Sequence, residues 1–64
     1  MEMWLARDED GNLHLHSTNP RKNTMMGMWE SLELCPLLIY SDNFGEIKWS
    51  DEEPTKVKLV IDKN

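Results

Sequence analysis

The run Trp4-Leu5-Ala6-Arg7-Asp8-Glu9-Asp10-Gly11-Asn12-Leu13-His14-Leu15-His16 sets three acidic residues and a glycine between an apolar, aromatic stretch and a strictly alternating one. Strict alternation marks a half-buried strand, and glycine accepts the left-handed backbone that a short hairpin loop requires. The first seventeen residues are therefore expected to form a β-hairpin. A type I turn closed by a bulge at Gly11 sets Asp8 against Asn12, so counting outwards puts Leu5 opposite Leu15 and Trp4 opposite His16. Met3, Leu5, Leu13 and Leu15 then share one face, the candidate core. Trp4, Ala6, His14 and His16 share the other.

Residues 17–24 contain Pro20, two Asn and no large apolar side chain, and read as a surface loop carrying the basic pair Arg21-Lys22. Met25, Met26, Met28, Trp29 and Leu32 fit one or two helical turns, whereas Leu32 and Leu34 alternate as in a strand. Gly27 weighs against a helix interior, so residues 28–35 are assigned to a strand. Pro36 ends regular pairing or sits on an edge, and a helical turn over 37–41 is compatible with it. Phe44, Ile47 and Trp49 bracket a short segment, Ser50 to Pro54 form a charged turn, and Val57, Leu59 and Ile61 alternate with Lys56, Lys58 and Val60 as a strand. The expected fold is mainly β: a small antiparallel, strongly curled sheet or barrel-like domain of four to five strands.

At 64 residues the chain is expected to be a single small domain, 1–64. Domains of this size bury only about 60% of the surface exposed by their unfolded chain, so a monomer has little stability to spare. The lone Cys35 cannot form an internal disulfide, which favours a reducing compartment. Apolar runs such as Pro36 to Tyr40 are far shorter than the roughly 20 residues of a spanning helix. The acidic N-terminal stretch is unlike a secretion signal, and a cytoplasmic location is expected. The net charge of −5 comes largely from clusters at 2–10 and 42–53, while the basic residues are sparse. Neither direct nucleic-acid binding nor membrane association is expected.

The stretch from Trp4 to Leu13, a Pro-containing loop, a Met-rich turn into Trp29, Leu34-Cys35-Pro36, and Glu46-Ile47-Lys48-Trp49 before a Val-Lys-Leu ending together resemble a group of small proteins of gut Bacteroidetes and their phages and mobile elements. The resemblance spans nearly the whole chain. It departs at Phe44-Gly45, where that group often has Phe-Pro. It implies a bacterial or phage origin and a β-rich fold, and no activity, cofactor or catalytic residue.

Residues able to carry chemistry are few. His14 and His16 share a strand face in a geometry that can chelate a metal, but a third ligand is missing and the opposing Trp4 and Ala6 cannot ligate. A solvent-facing pair with His16 against Trp4 is the expectation. Cys35, in apolar surroundings and without an oxyanion site nearby, reads as a buried structural thiol. Asp8-Glu9-Asp10-Gly11-Asn12 resembles part of a calcium loop, but its glycine comes too early and its flanks read as strands. No enzyme activity, metal or cofactor is expected.

Large side chains are the more informative feature. Trp4, Trp29, Trp49, Tyr40, Phe44 and the methionines exceed what one face of a small sheet covers. Trp and Met are favoured in interface cores. Trp4, Met25, Met26, Met28 and Trp29 are thus the candidate surface for a protein partner or for self-association as a homodimer. The alternative is an acidic inhibitor that imitates nucleic acid and blocks a basic site on a host or phage enzyme, with Asp8, Glu9, Asp10, Asp51, Glu52 and Glu53 as its surface.

Overall fold

The computed structural model describes residues 2–33, 35–40, 43–58 and 60. Six strands follow one another: β1 (Glu2–Arg7), β2 (Leu13–His16), β3 (Arg21–Asn23), β4 (Met28–Glu30), β5 (Leu37–Ile39) and β6 (Thr55–Lys58). They form an antiparallel four-stranded sheet in the order β5-β2-β1-β6 and a separate β3–β4 hairpin. The mainly β, antiparallel expectation holds. Among the described residues neither sheet closes or curls strongly, and the strands form an open sheet with a hairpin laid against it.

The first hairpin has the expected register. Trp4 pairs with His16, Leu5 with Leu15, Ala6 with His14 and Arg7 with Leu13. Asp8 donates its N–H to the Asn12 carbonyl at 2.8 Å, Gly11 donates to the Asp8 carbonyl at 3.0 Å, and Gly11 has φ +93°. Asp10 accepts from the backbone N–H of Asn12 at 2.9 Å, an Asx-type contact that holds the loop in shape.

Leu5 and Leu13 are buried on the face expected to form the core, together with Ile47, and Leu15, Ile39, Phe44 and Val57 pack around them. Arg7 projects to the same side. Its guanidinium donates to the carbonyls of Ile47 at 2.6 Å, Phe44 at 3.0 Å and Gly11 at 2.7 Å. The irregular 43–51 segment thus gains from one side chain the hydrogen bonds that a strand partner would have supplied.

The opposite face is covered too. Ala6 and His16 are each only 1% exposed, because the β3–β4 hairpin lies over them and places buried Trp29 there. Residues 21–23 are therefore a strand rather than part of a surface loop, and Pro20 is buried. Pairing Lys22 with Trp29 requires no large apolar residue in β3, which is why composition concealed it. The strand expected over 28–35 is confined to 28–30, and 37–39 extend the sheet beside β2 instead of turning as a helix. Cys35 is exposed rather than buried. In the last strand Val57 pairs with Met3; Leu59 and Ile61 lie outside the described residues.

Candidate functional site

Trp29 organises the second face. Its backbone N–H donates to Asp8 Oδ1 at 3.0 Å, and its indole Nε1–H donates to the Arg7 carbonyl at 3.0 Å. In the loop that follows β1 the Glu9 N–H donates to the Gly27 carbonyl at 2.9 Å. These contacts fasten the turn end of the β3–β4 hairpin to the end of β1 and the loop that follows it. Thr24 to Gly27 form the turn itself, closed by Asn23 Oδ1 accepting from the Met26 N–H at 3.0 Å and by Gly27 at φ +68°.

This hairpin divides the candidate partner residues. Met25 and Met26 stand at its tip, 96% and 68% exposed, and Met28 is exposed beside them. Trp29 is buried and holds the hairpin down. Trp4 is half-buried and lines a groove of about 470 Å³ that also includes Pro20, Arg21, Glu53 and Pro54. At one side of that groove Lys22 lies between two indoles, its Nζ 5.5 Å from the Trp29 ring centroid and 4.4 Å from that of Trp49, and it also donates to the Trp49 carbonyl.

The two histidines do share a face, and their surroundings differ from the expected solvent-facing pair. His14 Nδ1 lies 3.3 Å from Asp8 Oδ2. Its ring centroid is 6.3 Å from that of His16. Buried His16 shares a hydrogen bond through Nδ1 with Ser31 Oγ at 2.9 Å, has Glu33 Oε1 at 3.9 Å, and leaves Nε2 without a partner. Burial is the largest influence on its pKa and lowers it, opposed by the Glu33 carboxylate. Glu33 in turn accepts from Ser17 N–H at 2.7 Å and Ser17 Oγ–H at 2.8 Å, and these bonds hold its carboxyl below the usual range. No three potential ligands converge on a metal position among the described residues.

The two acidic turns leave the four-stranded sheet at the same end, since Leu5 near the close of β1 pairs with Thr55 at the start of β6. Their carboxylates are not equivalent. Asp8 is buried, Asp10 is bonded to Asn12, and Asp51 Oδ2 accepts from the Lys48 N–H at 3.1 Å. Glu9, Glu52 and Glu53 are exposed, the last two in the groove with Arg21, Lys22 and Lys56.

Sequence reasoning missed Lys22, Ser31 and Glu33. The readable signal for Lys22 was its place in the basic pair Arg21-Lys22; Ser31 and Glu33 offered none, because their role depends on where the second hairpin docks. Comparison with known protein families, with characterised protein sequences and with solved structures returns no match.

Proposed function

We propose that the chain is a small non-enzymatic interaction protein that presents Met25, Met26 and Met28 to an apolar pocket of a protein partner. One observation carries the reading: two adjacent methionines, 96% and 68% exposed, stand on a hairpin turn that is bonded through Gly27 and Trp29 to the loop after β1. Unbranched thioethers adapt to irregular apolar surfaces, and a fixed turn lowers the ordering cost of binding. Trp29 serves as the anchor of this surface. Association with the resemblance group from gut Bacteroidetes and their mobile elements, and action in the cytoplasm, belong to the same proposal. No helix among the described residues is long and apolar enough to cross a membrane.

Photo-methionine incorporated in living cells of the source tests it. The expected result is a discrete crosslinked species that disappears in M25S/M26S while the variant stays folded. An adduct pattern unchanged by that substitution, or none, overturns the reading.

The nucleic-acid-mimic reading draws support from the common placement of the two acidic turns. It is weakened by the carboxylates themselves: Asp8 is buried, Asp10 and Asp51 hold turns, and Glu52 and Glu53 face a groove containing three basic residues. Salt-sensitive binding to a basic enzyme, lost on E52Q/E53Q, would revive it.

A further inference from the structure

The order β5-β2-β1-β6 leaves two open sheet edges among the described residues, and they differ in kind. Strand β6 carries Lys56 and Lys58 within four residues, the sort of charge that discourages one edge from pairing with another. Strand β5 carries none. The sequence from Leu34 to Ser41 contains no charged residue, in a chain that is 30% charged and has a net charge of −5. Leu37 is 61% exposed and Tyr40 90% exposed.

We propose that β5 is a self-pairing edge, at which two copies of the chain join antiparallel about a two-fold axis at Leu38 to make one eight-stranded sheet. The occupant is a second copy because charge repels two such chains over most other approaches, whereas this ribbon is neutral and complementary to itself. Pairing centred on Leu38 sets Leu37 opposite Ile39 of the second copy and Tyr40 opposite Pro36. Leu37 and Ile39 lie on the core face, opposite Leu15 and Leu13, and Ile39 packs against the Leu5–Leu13–Ile47 cluster. The pairing therefore covers the exposed Leu37 and makes the two apolar cores continuous. It involves none of Met25, Met26 and Met28, so it stands apart from the hairpin-tip reading.

A ribbon of this length falls below the about 1,000 Å² cleared by stable interfaces, so the dimer is expected to dissociate on dilution. Sedimentation equilibrium over roughly a hundredfold dilution from about 1 mM should show dimer giving way to monomer. L37K/Y40K should weaken association at least about tenfold, with an unchanged far-ultraviolet spectrum, by placing like charges on the edge. M25S/M26S should leave it unaltered. L38C, in a background with Cys35→Ser, should oxidise to a covalent dimer, because directly opposed residues of antiparallel strands are within disulfide reach. If L37K/Y40K fails to fold, the L38C crosslink decides. A chain that is monomeric throughout, a dimer indifferent to L37K/Y40K, a dimer lost in M25S/M26S, or no L38C crosslink overturns the proposal.

Discussion

The carboxylate of Asp8 ties the two hairpins together: Oδ1 accepts the backbone N–H of Trp29 at 3.0 Å while Oδ2 lies 3.3 Å from His14 Nδ1. A residue that belongs by sequence to an acidic turn is thereby buried and structural. Replacing Asp8 with Ala leaves the Trp29 N–H without an acceptor in a buried position, and is expected to cost about 2–3 kcal/mol. Asp8→Asn, which keeps one acceptor oxygen, should cost less. Urea unfolding monitored by tryptophan fluorescence measures both; equal, small losses would show that the contact contributes little.

Gly27 sits where the hairpin turn meets β1. Its φ of +68° disfavours a side chain, and an added Cβ would approach Glu9 Cβ to 3.2 Å. Gly27→Ala should therefore destabilise by about 1–2 kcal/mol, whereas Gly45→Ala, in open space, should be close to neutral. Comparing the two urea midpoints tests the contact as well as the backbone conformation.

Arg7 holds three carbonyls with one guanidinium. Lysine preserves the charge but has no planar fork to satisfy the Ile47, Phe44 and Gly11 oxygens together. Arg7→Lys is expected to cost about 2 kcal/mol and to raise hydrogen exchange across 43–51 before it affects β1. Uniform loss of protection along the chain would contradict this local role.

Acidification should weaken the fold through His16. Burial lowers its folded pKa below the ordinary value of 6.5, so the unfolded chain takes up the proton first. Stability is then fully present above about pH 6.5 and falls as pH drops towards the folded pKa. Asp8, Glu33 and His14 are the other charged or titratable groups beside this ring. Glu33, whose folded pKa is lowered by its Ser17 bonds, adds a loss at lower pH, as its carboxylate protonates. The urea midpoint should decline between pH 7.5 and 5.5, and His16→Gln should flatten that decline. A midpoint independent of pH over this interval would show that burying the neutral ring has no consequence for stability.

Lys22 between Trp29 and Trp49 joins the second hairpin to the 48–51 turn. Lys22→Met retains the aliphatic stem and removes both the cation and the donor, and should cost about 1–2 kcal/mol. The accompanying change in tryptophan emission would assign the loss to the indole contacts; loss of stability with unchanged emission would place it elsewhere.

The first hairpin was legible residue by residue, because the strict alternation of Leu13 to His16 and a type I turn with a bulge at Gly11 fix one register, which buries Leu5 and Leu13 together. The alternation read over 56–61 placed a strand whose described part is 55–58, with Val60 already outside it, and the mainly β, antiparallel class was legible as well. Strand β3 was not legible, since Arg21-Lys22-Asn23 has no apolar pattern and becomes a strand only by pairing with β4. That pairing changes what the neighbouring residues do: it buries Trp29, removing it from the candidate partner surface, and turns His16 from an expected surface residue into an enclosed one. The exposure of Met25 and Met26 was anticipated from the surplus of large side chains, but the sequence could not say which of the surplus would be covered. Local alternation and turn chemistry determined the β-hairpin and its faces. The tertiary structure alone decided that a second hairpin covers the face opposite the core, because docking depends on hydrogen bonds between Asp8 and Trp29, and between His16 and Ser31, that join residues far apart in the chain.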